Sequence, residues 1–186
     1  MATSAQVRAH METLLGSSFS DGNEITRLKN GDEIFPSMLD AIAAAESQVD
    51  FLTFIYWGGD IAERFSEALA LRARDGVRVR VLLDAFGSGS MSDELTERME
   101  DAGVEVRWFR PLATWRVWRS THRTHRKVLV VDGRVAYTGG VGIASEWEGD
   151  ARDASEWRDD HFRVEGPAVR GLQGTFIGNW IETGAE

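Results

Sequence analysis

Two side chains that could bind a phosphate stand one residue apart in the middle of the chain, His125 and Lys127. The four apolar residues 128–131 follow them and predict a strand that is buried on both faces. Because side chains alternate along a strand, His125 and Lys127 should project from the same face at its beginning. A buried lysine is costly unless an anion compensates its charge. The spacing therefore predicts an anion site, and a phosphate suits it.

A pair of glycines, Gly139 and Gly140, ends the next predicted strand, residues 134–138. Backbone N–H groups at glycines can approach an anion closely. The dipeptide Asp132-Gly133 is a hairpin signal, so the second strand should return beside the first. The 21 lysines and arginines include only two lysines, Lys29 and Lys127, which indicates that position 127 needs a compact ammonium.

The pattern His-x-Lys, four residues, Asp, six residues, Gly-Gly resembles the HKD motif of the phospholipase D superfamily. The matching positions are His125, Lys127, Asp132, Gly139 and Gly140. Other segments resemble the N-terminal half of cardiolipin synthases, and the similarity runs over nearly the whole chain from about Ile25. These segments are Tyr56-Trp57 with Asp60, residues 74–84, Trp157-Arg158-Asp159 and residues 164–169.

The resemblance implies phosphodiester exchange through a covalent phosphohistidine, with no cofactor and no metal. His125 would be either the nucleophile or the general acid and base, and Lys127 would offset charge on the phosphate oxygens. Asp159 is the candidate carboxylate that orients a ring nitrogen of the histidine. Asp132 completes the predicted catalytic set, although its place at the far end of the strand suits a turn residue. The predicted substrate-binding residues are Gly139, Gly140, Arg123, Tyr56 and Asp60.

The chain departs from the family pattern at two places. Gly142 stands where the family often has an asparagine, so one expected phosphate-contacting amide is missing. The family also builds one active site from two motifs, whereas Lys29 has Arg27 rather than histidine two residues before it. We therefore expect the second motif to come from an identical subunit across a two-fold axis, or from a C-terminal half.

The other histidines have ordinary interpretations. A lone histidine usually has a structural or solvent role, and His10 and His161 are interpreted in that way. His122 and His125 are three residues apart, but no third metal ligand stands at a useful spacing.

Size and charge limit the class of protein. The 186 residues suit one domain, residues 1–186, with residues 1–22 as a helical N-terminal extension. A net charge of −9 argues against a general nucleic-acid coat. Residues 107–127 nevertheless hold seven basic and no acidic side chains, an electropositive region that leads into the motif. No apolar run could span a bilayer, so we expect a cytoplasmic protein or one with peripheral contact at a membrane surface.

Recurring strand, helix and strand patterns predict an α/β fold with a mixed, largely parallel sheet and helices on both faces. Asn30-Gly31 is a second hairpin signal. The glycine-rich loop 84–89 follows a strand and could line a site or be a plain connection. In residues 111–124, Trp115 and Trp118 alternate with arginines, which suits either a lipid or nucleic-acid surface or a loop that covers the core.

Three functions remain open from the sequence. The first is a phospholipase D-like, cardiolipin synthase-like phosphatidyltransferase or phosphodiesterase acting on anionic phospholipid. The second is a single-motif, dimeric, nuclease-like phosphodiesterase. The third is a half that only binds phosphate or a membrane.

Overall fold

The computed structural model describes residues 3–16, 18–111 and 123–184. Its centre is a seven-stranded sheet in the order β1-β7-β6-β5-β2-β3-β4. The strands are β1 Glu24–Lys29, β2 Gln48–Thr53, β3 Arg78–Asp84, β4 Glu105–Phe109, β5 Val128–Val131, β6 Val135–Gly139 and β7 Asp160–Glu165. The α-helices are α1 Ser4–Leu15, α2 Asn30–Ala43, α3 Asp60–Arg74, α4 Asp93–Asp101 and α5 Val169–Ile181.

The mixed α/β sheet is confirmed, but parallel pairing is less extensive than the sequence predicts. Only β2 with β3 and β3 with β4 are parallel. The pairs β2 with β5, β5 with β6, β6 with β7 and β7 with β1 are antiparallel. Helical crossovers enforce parallel pairing only from β2 to β4. After β4 the chain enters the sheet on the other side of β2 in the opposite direction, and tight connections keep the later strands antiparallel.

Helices cover both faces of the sheet, as predicted. Alternate residues of each central strand point to opposite faces, so Phe51 and Leu129 join one core while Leu52 and Val130 join the other. Helices α2, α3 and α4 pack on the first face, and α5 packs on the second. All four residues of β5 are buried, which confirms the strand predicted after the motif. The motif is therefore carried by one of the best-shielded strands of the sheet.

The predicted hairpin at Asn30-Gly31 is wrong, because α2 begins at Asn30 directly after β1. Asn30 has a positive φ of 55°, a conformation that asparagine often adopts in turns. Its N–H donates to the Asp159 carbonyl at 2.9 Å, and its side-chain amide donates to Asp150. A Cβ at Gly31 would lie 2.1 Å from the Trp147 carbonyl oxygen. Contacts with distant residues thus turn this dipeptide into a helix start.

The N-terminal helix α1 begins with a Thr3 cap and buries none of its residues. In the part of the chain that the structure describes, no helix combines the length and apolarity needed to cross a bilayer.

Candidate active site

His125 and Lys127 lie side by side at the beginning of β5. The Lys127 ammonium is 3.2 and 3.3 Å from the two ring nitrogens of His125, and 3.2 Å from the His125 carbonyl oxygen. The lysine side chain is buried, whereas His125 is exposed. The ring of Phe54, directly after β2, packs 4.6 Å from the His125 ring and 5.4 Å from the ammonium. The exposed imidazole can therefore reach a ligand while the ammonium stays beneath it.

The site favours a neutral imidazole. Partial burial and the adjacent Lys127 charge both lower the pKa of His125, and the Asp84 carboxylate opposes them. Burial also lowers the pKa of Lys127, while Asp159 raises it. A neutral imidazole has a free lone pair, which a nucleophile or a base needs.

Asp84 holds the backbone that leads into the motif. It ends β3, is fully buried, and accepts hydrogen bonds from the N–H groups of Phe86 and Gly87 at 2.9 and 3.2 Å. Its other oxygen accepts from the Thr124 N–H at 3.3 Å, and the Arg123 guanidinium lies 3.6 Å away. The sequence predicts that the loop after this strand could line a site, and it gives no such role to Asp84 itself. Its signal was a carboxylate directly after the three consecutive apolar residues 81–83.

The paired glycines allow the beginning of β7 to approach the site. Gly139 pairs with His161, and a Cβ at Gly139 would lie 2.5 Å from the His161 Nδ1 atom. A Cβ at Gly140 would lie 2.4 Å from both carboxylate oxygens of Asp159. No side chain fits at either position. The absence of side chains at the two glycines leaves space for the His161 imidazole and the Asp159 carboxylate.

Asp159 lies at the site, but its carboxylate has partners other than His125 in the described residues. It accepts from the Trp147 indole at 3.3 Å and from the Asp160 N–H at 2.8 Å. The Asp159 N–H also donates to the Asn30 side-chain oxygen at 3.3 Å, so Asn30 bonds both backbone groups of this residue. The carboxylate acts on Lys127 through its charge.

The structure does not bring Asp132 to this cluster. It lies at the opposite end of β5, about 16 Å along the strand from Lys127. Its carboxylate accepts from the N–H groups of Glu46, Ser47 and Gln48 and from the Ser47 hydroxyl, at 2.7–2.9 Å. Although burial opposes them, these bonds lower its pKa to about 2. Asp132 therefore fixes the β5–β6 turn against the connection between α2 and β2, because its oxygens are occupied there.

Tyr56, Asp60 and Gly142 also lie outside the cluster. The Tyr56 side chain is fully buried, and its hydroxyl donates to the Ala62 carbonyl at 2.8 Å. Asp60 is exposed at the first position of α3. A Cβ at Gly142 would lie 2.7 Å from Ile55, so this position packs against the core. The Tyr56 hydroxyl is therefore held by a hydrogen bond within the core.

A cavity of about 260 Å³ opens beside His125, between the end of β4 and the end of α5. Its lining is mostly polar and includes Arg110, Arg123, Arg126, Thr124, Asn179 and Glu182. Arg126 donates to the Asn179 side-chain oxygen at 2.8 Å, and Arg110 lies 3.4 Å from Glu182. Several residues of the predicted basic, Trp-containing stretch, namely Trp115, Arg116, Trp118, Arg119 and His122, lie outside the described residues.

His161, for which the sequence suggests only an ordinary role, lies next to Gly139 and feels the charge of Lys127. It is buried on β7, and its pKa is lowered to about 4 by burial and by the Lys127 charge. The signal in the sequence was its place two residues after Asp159, on the same predicted strand.

The fold is that of phospholipase D-like proteins of known structure. A phospholipase D family member, Nuc from Salmonella typhimurium, superposes with a TM-score of 0.65 at 15% identity, covering 86% of this chain and 95% of that one. NucT from Helicobacter pylori gives 0.63 at 13% identity, covering 87% of this chain and 98% of that one.

Sequence comparison defines the family more closely. Residues 38–147 match the family described as "Cardiolipin synthase, PLD-like domain", and the chain belongs to that family. It is 34% identical over 167 residues to cardiolipin synthase 1 of Bacillus anthracis, covering 89% of this chain and 33% of that protein. It is 31% identical to the major cardiolipin synthase ClsA of Bacillus subtilis over 163 residues, covering 87% of this chain and 34% of that protein. The chain thus spans about a third of the length of these relatives.

Proposed function

We propose that this chain supplies one half of the active site of a phospholipase D-like phosphatidyltransferase or phosphodiesterase that acts on phospholipid phosphodiesters. The observation that carries the proposal is the exposed His125 ring held against the buried Lys127 ammonium, 3.2 Å from Nζ to Nδ1. Membership of the cardiolipin synthase family favours an anionic phospholipid over other phosphodiesters. Such a substrate places the working protein at a membrane surface through peripheral contact.

His125 is assigned the nucleophilic role. Its lowered pKa keeps the ring neutral, and a neutral ring nitrogen can attack phosphorus. A new N–P bond forms as the P–O bond to the leaving alcohol breaks, and the leaving oxygen takes a proton from a second histidine. That histidine then removes a proton from water or from an acceptor alcohol, whose oxygen displaces His125 and gives hydrolysis or transfer. A general acid, in contrast, must start out protonated, which the surroundings of His125 disfavour.

Lys127, Asp159 and the glycine pair are assigned supporting roles. The Lys127 ammonium offsets charge on the phosphate oxygens, because phosphoryl transfer depends mainly on positioning and electrostatics. Burial lowers the pKa of Lys127, and the Asp159 carboxylate opposes that effect and so favours the charged form. Gly139 and Gly140 leave the space in which Asp159 and His161 approach the phosphate site.

The given sequence contains a single HKD motif. The second histidine must therefore come from a motif on another segment or another copy of the chain. Two arrangements supply it: an identical copy of this chain, or another polypeptide segment that carries the partner motif.

The test is an assay on phosphatidylglycerol vesicles and on a small chromogenic phosphodiester, with His125→Ala as the variant and His10→Ala as its control. His125→Ala should lower turnover at least 1,000-fold and leave the circular dichroism spectrum unchanged, because it removes the atom that bonds phosphorus. His10 lies on α1, which buries none of its residues, so its replacement should leave turnover unaltered. Undiminished turnover in His125→Ala would falsify the assignment.

The same assay on DNA separates the nuclease-like alternative. Cleavage of DNA without turnover of phosphatidylglycerol would favour that alternative. Binding of phosphate or vesicles with no turnover, from a preparation that holds two motifs, would favour a half that only binds.

A further inference from the structure

His161 is buried, yet one of its polar atoms has no partner. The side chain is 1% exposed, and its Nδ1 atom makes no hydrogen bond with any described residue. An orphan buried nitrogen is uncommon and costs free energy, so it needs a physical reason. The proposed mechanism does not use this atom.

The position of Nδ1 is fixed by the strand register. Val128 pairs with Thr138, so Lys127 stands opposite Gly139, and Gly139 pairs with His161 on the next strand. Residues directly opposite in neighbouring strands share a face of the sheet, so Lys127 and His161 flank Gly139 on one face. Nδ1 fills the space above Gly139, since a Cβ there would lie 2.5 Å from it. The missing side chain of Gly139 thus opens a path between the imidazole and the ammonium.

The Lys127 ammonium can donate a hydrogen bond to an acceptor outside His125. Within the described residues its hydrogen-bonding contacts are all with His125, through the carbonyl oxygen and the ring nitrogens. An ammonium donates three hydrogen bonds, and a buried one that lacks acceptors tends to lose its proton. The Asp159 carboxylate ahead of β7 raises the pKa of Lys127, and the Lys127 charge in turn lowers the pKa values of His125 beside it and of His161 on β7.

We propose that His161 is a positioning residue for Lys127: its neutral imidazole offers Nδ1 as an acceptor that holds the ammonium over Gly139, where the phosphate binds. The assignment rests on the proposed function only in taking the bound anion to be a phosphate. It requires the tautomer with the proton on Nε2. His161 thereby keeps Lys127 charged without adding a second negative group, which would repel the phosphate.

The small number of lysines permits a direct test. With lysine labelled by ¹³C at Cε, the full chain should give two lysine signals, and Lys29→Arg identifies which belongs to Lys127. The pKa of Lys127 is measured in the unaltered protein, in His161→Phe, which keeps a planar apolar ring, and in His161→Asn, which keeps an amide near the position of Nδ1. The pKa of Lys127 should fall by about one pH unit in His161→Phe and recover in His161→Asn.

The pKa of Lys127 in His161→Phe decides the outcome. An identical Lys127 titration in His161→Phe and in the unaltered protein would overturn the proposal and leave His161 as a packing residue. Should His161→Phe not fold, His161→Gln takes its place, because its amide reaches the position of Nε2 rather than Nδ1; it should show the same fall. A Lys127 titration in His161→Gln identical to that of the unaltered protein would equally overturn the proposal.

Inorganic phosphate separates this proposal from the proposed function. Added phosphate should raise the pKa of Lys127 in the unaltered protein and bind about tenfold more weakly to His161→Phe. If Lys127 responds to His161→Phe but not to phosphate, the positioning role stands and the phosphate site fails. If phosphate acts equally on both proteins and the Lys127 pKa does not change between them, the phosphate site stands and the positioning role fails.

Discussion

Lys127 and His125 are in contact, and the charge of Lys127 acts on the His125 ring. The ammonium is close enough to the ring to lower the pKa of His125, so the cation proposed to bind the phosphate also favours the neutral form of its neighbour. As the pH falls, His125 retains its neutral form to a lower pH than an ordinary histidine would. The spacing of the motif therefore places Lys127 where its charge lowers the pKa of His125.

Replacing Lys127 tests this coupling. In Lys127→Met the pKa of His125 should rise, because the nearest positive charge is gone, and the acid limb of the pH–rate profile should move to higher pH with it. Turnover at neutral pH should fall roughly 100-fold from lost electrostatic stabilisation. Proton NMR of the His125 ring measures the pKa, and Lys29→Met on β1 is the control. Equal His125 titrations in the two variants would contradict the coupling.

At the scale of elements, the glycine pair sets the distance between β6 and β7. Gly139→Ala would place a methyl group 2.5 Å from the His161 ring and 2.5 Å from the Asp160 carbonyl oxygen, so the beginning of β7 must move. We expect a loss of about 1–3 kcal/mol in the free energy of unfolding and at least a tenfold loss of turnover. Chemical denaturation and the vesicle assay measure the two effects.

Gly174→Ala is the matched control for that substitution. Gly174 lies in α5 with nothing within 4 Å of its added Cβ, so alanine there should stabilise the helix slightly. Equal stability and turnover in the two variants would show that β7 tolerates a side chain at Gly139.

Asp132 joins two connections of the chain, and its variant should affect stability rather than chemistry. Asp132→Ala removes the acceptor for three backbone N–H groups and a hydroxyl, and should cost about 2 kcal/mol at neutral pH. Because the folded-state pKa is about 2, this stability is present above the unfolded pKa near 4 and is lost as the pH falls toward 2. Urea unfolding at pH 7 and pH 3 measures it.

Asp153→Ala is the control for Asp132→Ala. Asp153→Ala removes an exposed carboxylate that bonds only to nearby Ser155, and it should change stability little. Turnover per folded molecule should be unchanged in Asp132→Ala, and a loss there would return Asp132 to the catalytic set.

The sequence predicts those features that depend on neighbouring residues. The β5–β6 hairpin forms at Asp132-Gly133, where both residues have positive φ, because its signal is local. The hairpin predicted at Asn30-Gly31 fails because Asp159, far along the chain, accepts the Asn30 N–H and favours a helix start. The burial of His161 could not be predicted for the same reason, since it depends on strands that pair only in the folded sheet. Periodicity contains no information about such pairings.

At the scale of the whole molecule, the proposed chemistry needs two motifs and the chain contains one. We expect turnover only from an assembly that brings two motifs together. If identical copies supply them, activity per chain should fall on dilution in step with the dimer fraction measured by sedimentation. If another segment supplies the second motif, this chain alone should be inactive and gain turnover when that segment is added. Full turnover by a sedimenting monomer would contradict both arrangements.

The place of β7 between β1 and β6 has a consequence for biosynthesis. β7 follows the other six described strands along the chain but inserts between β1 and β6, and this insertion brings Asp159 and His161 to the site. During synthesis His125, the proposed nucleophile, is therefore made before Asp159 and His161, which lie beside Lys127 only after β7 has joined the sheet. Because pairing between strands that are far apart in sequence is slow, we expect the proposed activity to appear only after β7 has inserted.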